Sequence, residues 1–112
     1  MTLSKDLVAA SATPIILAIL QAKDSYGYAI IRKVQEISDN QIAWTDGMLY
    51  PVLHRLETAG FIESYWLDAD SGRRRKYYHI TNSGNDECAL LKQQWSVVQR
   101  ALQVLSEEQR GC

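Results

Sequence analysis

The sequence predicts a mainly α-helical domain carrying one β-hairpin, and three observations predict it. Apolar residues recur at three- and four-residue steps in four separate segments, which is the pattern of helices with one buried face. A single stretch, 61–80, alternates instead and is interrupted by turn residues. The whole chain has 112 residues and is 46% hydrophobic, which suits one soluble globular domain with one modest core.

The first helical segment carries Leu3, Leu7, Ala10, Ile15, Ile16, Ala18, Ile19 and Leu20. Pro14 leaves two arrangements open: a helix kinked at that point, or a helix that begins at Pro14 with Thr13 as its cap and the preceding residues as a separate arm. Asp24 and Ser25 offer the next cap, for a helix over 26–37 with Tyr26, Ala29, Ile30, Val34 and Ile37 turned inward and Lys33 and Glu36 outward. A polar connector, Ser38-Asp39-Asn40-Gln41, has turn chemistry and leads through Ile42, Ala43 and Trp44 into a third helix, about 46–59. Thr45 or Asp46 caps that helix, Leu49, Leu53 and Leu56 form its buried stripe, and Gly60 ends it in the left-handed conformation. Pro51 lacks the N–H that would reach the Gly47 carbonyl, which predicts an irregular first turn. Helix, short connector, helix is the helix-turn-helix arrangement.

In the hairpin, Phe61, Glu63, Tyr65 and Leu67 fall on one face and Ile62, Ser64 and Trp66 on the other. Asp68-Ala69-Asp70-Ser71-Gly72 is the turn, and 75–80 is the returning strand. Trp44 and Trp66 are expected to pack around it. Thr81 caps the last helix, over 82–109, roughly 28 residues and so about 40 Å long at 1.5 Å per residue. Cys88, Leu91, Trp95, Val98, Leu102 and Leu105 make a heptad-type seam along it, with a second stripe of Leu90, Val97, Ala101 and Val104 beside it. Two apolar faces need two covers; the domain supplies one, and a second subunit is expected to supply the other.

Composition narrows the function. Twelve basic and thirteen acidic residues give a net charge of −1, which argues against indiscriminate coating of nucleic acid. The distribution is more telling: Arg73-Arg74-Arg75-Lys76 sets four positive charges in a row at the hairpin tip. The two cysteines, Cys88 and Cys112, lack zinc or redox spacing; Cys88 is expected to be a buried small apolar group and Cys112 to lie in a frayed tail. The longest apolar run, 14–20, is short of the roughly 20 residues of a membrane span, and nothing resembles a signal peptide, so a cytoplasmic protein is expected. No nucleophile–base pair, phosphate loop or metal-ligand cluster stands out, so neither an enzyme nor a cofactor is expected.

Leu49-Tyr50-Pro51-Val52-Leu53-His54-Arg55-Leu56-Glu57 followed by Gly60-Phe61-Ile62 resembles the LYPxLxRLExxGxI signature of PadR-type transcriptional regulators. Tyr26-Gly27-Tyr28-Ala29-Ile30 is similar to that family's YGYxI opening of the second helix, and Gly72-Arg73-Arg74-Arg75-Lys76-Tyr77-Tyr78 with Thr81 and Gly84 is similar to its wing and the start of its last helix. The resemblance covers most of the chain, from about Pro14 to Trp95. It implies a winged helix-turn-helix over 1–80 (wing about 61–80), a dimerisation helix over 81–112, a homodimer held by first and last helices, and repression through a promoter palindrome. With one helix after the wing, the chain resembles the short subfamily. Trp95 sits where some multidrug-responsive members carry a tryptophan, which implies a pore between symmetry mates that accepts a planar aromatic compound.

Double-stranded DNA is thus the expected partner. Thr45, Tyr50, Pro51, His54 and Arg55 on the third helix are candidate contacts, since the N-terminal residues of such a helix meet base edges in the major groove. Ser25, Tyr26 and Tyr28 open the second helix, whose N-terminus attracts phosphate. Gly72, Arg73, Arg74, Arg75 and Lys76 form the tip, at the backbone or in the minor groove, with at least one of the four charges structural or solvent-facing. The dimer seam and ligand contacts are expected at Leu7, Leu91, Trp95, Val98, Gln99, Leu102 and Leu105. The rival reading is a helical interaction module that dimerises without binding DNA.

Overall fold

The computed structural model describes residues 2–110, so the expectation for Cys112 lies outside the described residues. The first helix, α1 (Lys5–Ala22), is the element around which the others gather. Ser4 caps it, its hydroxyl accepting from Leu7 N at 3.2 Å. It runs unbroken through Pro14, so neither the separate arm nor the Thr13 cap forms. Its 18 residues have a mean hydropathy of 1.3, enough by length and composition to cross a membrane, more than the 14–20 run suggested. Within the domain Ala12, Ile16, Leu17 and Leu20 are buried core residues, which is what makes the helix apolar.

After α1 the chain departs from expectation. Ser25–Tyr26 is a short strand, β1, and α2 begins only at Gly27, running to Ile37. No side chain caps α2, so Asp24 and Ser25 do not serve there. On α2, Gly27, Ile30 and Val34 are buried, while Ile37, expected to face inward, is 61% exposed. The connector behaves as its residues demand: Asp39 (φ 51°) is left-handed, and Asn40 N–H reaches the Gln35 carbonyl at 2.8 Å.

Helix α3 (Asp46–Thr58) is capped by Thr45, whose Oγ1 accepts from Met48 N at 3.2 Å, and it continues through Pro51 without a break. Its end has the two bonds of a Schellman turn, Phe61 N to Leu56 O and Gly60 N to Glu57 O, both 3.0 Å, with Gly60 at φ +82°. Trp44 is buried in the core cluster, with its indole N–H unpartnered among the described residues.

Strands β2 (Ile62–Asp68) and β3 (Arg74–Ile80) pair antiparallel from Ile62↔Ile80 to Asp68↔Arg74. The sheet is three-stranded, in the order β1-β3-β2, with Ser25↔Tyr78 and Tyr26↔Tyr77. Asp24 locks this third strand in place, accepting from Tyr65 OH at 2.5 Å and meeting His79 Nδ1 at 2.8 Å. These two bonds hold the Asp24 carboxyl below its ordinary range, and the same contact pushes the Tyr65 phenol up to about 12.

The last helix, α4 (Asn82–Arg110), starts against the α3 turn. Thr81 Oγ1 accepts from Gly84 N at 3.1 Å and donates to Gly60 O at 2.7 Å, and Ser83 Oγ donates to the same carbonyl at 3.0 Å. A Cβ on Gly84 would overlap the Phe61 carbonyl, so only glycine permits this approach. Beyond Leu91 every residue of α4 is exposed and the helix projects, giving the molecule a long axis of 63 Å.

Two outcomes test these contacts. Gly84→Ala, which raises helix propensity, is nevertheless expected to destabilise by about 1–3 kcal/mol in urea unfolding, because the methyl group must displace backbone. For Tyr65, stability is present in full below pH 10.0, the ordinary phenol value, and is lost as pH rises through about 12. Wild type should therefore lose melting temperature more steeply than Tyr65→Phe across that window; parallel curves would show that the Asp24 contact does not contribute.

Candidate nucleic-acid interface

At about 100° per residue, the stripe directly opposite Leu49, Leu53 and Leu56 on α3 consists of Gly47, Pro51, His54 and Thr58. All four are exposed. The candidates Tyr50 and Arg55 lie to either side of this stripe, and each is engaged by a neighbouring helix. Tyr50 is 46% exposed, but its hydroxyl lies against the α2 N-terminus, where a Cβ on Gly27 would overlap it. Arg55 Nη2 donates to Thr13 Oγ1 of α1 at 3.4 Å, so its guanidinium ties helices together rather than standing free. Thr45 is exposed at the N-terminal end of the same helix, its hydroxyl oxygen already accepting as the cap.

The α2 entrance is rearranged by β1. Ser25 is 7% exposed and so is buried in the sheet, which removes it from any outward-facing helix N-terminus. Tyr26, half-buried in β1, packs edge-on to Tyr77 at 5.1 Å and lies under Arg75. Tyr28 is 59% exposed and its hydroxyl accepts from Arg32 Nη1 at 2.9 Å.

The pairing register divides three of the four cations, Arg74, Arg75 and Lys76, between the two sheet faces. Arg75 is opposite Leu67, on the face carrying Tyr65 and Tyr77; its guanidinium covers Tyr26 at 4.7 Å and donates to the Tyr26 hydroxyl at 3.3 Å. Lys76 and Arg74 share the other face, which turns toward α3. Lys76 Nζ is 3.8 Å from Glu57 Oε1, and Ser64 Oγ donates to the same carboxylate. Tyr78, further along this face, is buried, and burial beside Glu57 raises its phenol pKa. Arg74 lies over the Trp66 ring at 5.2 Å and within 3.9 Å of Asp68, an exposed pair that contributes little. Arg73 sits in the loop beside Gly72 (φ +83°), and among the described residues its side chain has no partner. Arg75 and Lys76 thus hold the hairpin to the body, and Arg73 and Arg74 stand at its tip. Trp66 is 54% exposed, which corrects the expectation that it packs; on the strand half beyond the core its indole meets the Arg74 guanidinium rather than the body of the domain.

The expected seam is open to solvent. Leu7 is 39% exposed, Trp95 37%, Val98 54%, Leu102 63% and Leu105 56%, while Leu91 is half-buried and Cys88 fully buried. Trp95 and Gln99 line a largely apolar groove of about 390 Å³ between α1 and α4, together with Ser11, Pro14, Ile15 and Lys92.

Comparison with known proteins gives this arrangement a context. A Lysinibacillus sphaericus protein, named Uncharacterized protein X, is 32% identical over 102 residues, covering 91% of this chain and 94% of its own. A transcriptional regulator from Clostridium thermocellum superposes with a TM-score of 0.80 at 30% identity, over 88% of this chain and 95% of that one. A PadR family transcription regulator from Clostridium difficile does so at 0.72 and 35% identity, over 82% and 94%. The transcriptional regulator PadR-like family matches residues 16–90, and its members are transcription regulators rather than enzymes. The mainly helical winged architecture, the helix-turn-helix of α2 and α3 and this match over most of the domain agree: the chain belongs to the PadR-like family of transcriptional regulators.

Proposed function

We propose that this protein is a cytoplasmic, homodimeric repressor that binds a palindromic promoter site, with α3 in the major groove and the β2–β3 tip at the flanking phosphates or minor groove. The observation that carries this reading is the outward stripe of α3. Among the described residues its side chains have no partner, and the hairpin whose strand β2 contacts α3 carries Arg73 and Arg74 at its tip. Tyr28, exposed at the start of α2, suits a phosphate contact through its hydroxyl.

Dimerisation is supported by the length of apolar α4 that the domain leaves bare, from Trp95 to Leu105. A second copy is the natural cover for a heptad-type seam, and it would set two α3 helices about 34–36 Å apart, one turn of DNA. The groove beside Trp95 supports a finer step, in which a planar aromatic compound stacks between symmetry-related indoles and changes the angle between the two winged domains. Lys92 in its lining favours neutral or anionic compounds over cations.

Three measurements test the reading. The slope of log affinity for the chain's own upstream promoter against log salt should be steep, and Arg73→Ala should reduce its magnitude by about one. An unchanged slope removes the tip from the interface, and a dimer that shifts no promoter DNA at low salt supports the interaction module instead. Leu102→Lys should convert the dimer to a monomer in sedimentation and cut operator affinity by more than tenfold; a variant that stays dimeric moves the seam off α4. Titration with planar aromatic compounds should quench tryptophan fluorescence in wild type and not in Trp95→Phe; equal quenching in both places the ligand elsewhere.

A further inference from the structure

Two residues on the outward stripe of α3 weaken the helix without serving the fold. Gly47 has lower helix propensity than alanine, yet among the described residues only Thr45 Oγ1, at 3.9 Å, comes within 4 Å of where its Cβ would stand. Its φ is not positive, so the backbone does not require glycine either. Pro51, one turn on, withholds the N–H that the Gly47 carbonyl would accept, and its ring is exposed. His54, the next member, is exposed with no partner among the described residues. Local rules broken together on one face, with no gain inside the molecule, point to a requirement outside it.

The three positions follow at i, i+4 and i+7 and span about 10 Å of helix, the rise of roughly three base pairs. The side chains that flank them are committed, Tyr50 to Gly27 and Arg55 to Thr13. Given the DNA-binding reading above, on which this step rests, we infer that Gly47, Pro51 and His54 form the base-reading edge of α3. The bare backbone at Gly47 and the pyrrolidine of Pro51 let the helix settle against thymine C5-methyl groups, and His54 supplies an imidazole N–H to a purine N7. Arg55, the other strong donor at this end of α3, reads nothing. The contacted half of each palindromic arm is therefore a thymine-containing step followed within about three base pairs by one purine whose N7 matters.

The test starts from the duplex that the full-length protein selects out of a random library. In that duplex each thymine is replaced in turn by deoxyuridine, which lacks the methyl group, and each purine by its 7-deaza analogue, which lacks N7. One 7-deazapurine should weaken wild-type binding about tenfold and leave His54→Ala unaffected, and a deoxyuridine within three base pairs of it should weaken wild type several-fold. Gly47→Ala should melt at or above the wild-type temperature, lose at least tenfold in affinity for the selected duplex, and keep wild-type affinity for an unrelated one. Wild-type-like selected-site binding by Gly47→Ala, or no 7-deaza position that separates wild type from His54→Ala, overturns the assignment while leaving DNA binding intact. A wild-type protein that selects no duplex overturns the DNA reading and this one with it.

Discussion

The Gly60 carbonyl is the point on which the rest of the molecule depends. It accepts hydroxyl hydrogen bonds from both Thr81 and Ser83, while the next carbonyl, Phe61, accepts Thr81 N at 3.0 Å and touches the bare Cα of Gly84. The end of α3, the start of β2 and the first turn of α4 therefore share one small patch of backbone. Three chain segments that would otherwise be joined by soft connections are thereby fastened to one another. The requirement falls on small groups: a left-handed glycine to turn the chain, two short hydroxyl side chains, and a second glycine to let the helix approach.

Charge is used economically around α3. Net charge is −1, yet the hairpin carries four cations in succession, and their distance from the tip sorts them. Arg75 and Lys76 are turned to Tyr26 and Glu57 and fasten the hairpin to β1 and α3, whereas Arg73 and Arg74 remain outward. Arg55 likewise joins α3 to α1. Positive charge on this hairpin has a structural half and an outward half, and one step along the strand separates them.

What could be read from the sequence was whatever local chemistry decides. The caps at Thr45 and Thr81, the left-handed end at Gly60, the turn before β3 and the long last helix follow from the residues at those positions alone, and the structure has them. Contacts across long sequence separations were not legible. Nothing near Ser25 announces that it will pair with Tyr78 as a third strand, and with that strand Asp24 leaves the helix to bind Tyr65 and His79. Pro14 left a kink or a boundary open because its local cost is real, and α1 runs through it, held by tertiary packing. On α3, Tyr50 and His54 were visible as side chains with chemistry, whereas the contact of Arg55 with Thr13 was not, because its partner lies on α1.

The attachment of α4 at its base also has a mechanical meaning. A helix of 29 residues, held against the body as far as Lys92 and bare beyond it for about 28 Å, is a lever. A tilt of about 8° at the last held turn displaces its far end by roughly 4 Å, close to the rise of one base pair. Read in reverse, a displacement of several ångströms along the helix is geared down to a rotation small enough for the winged body to follow without losing its core.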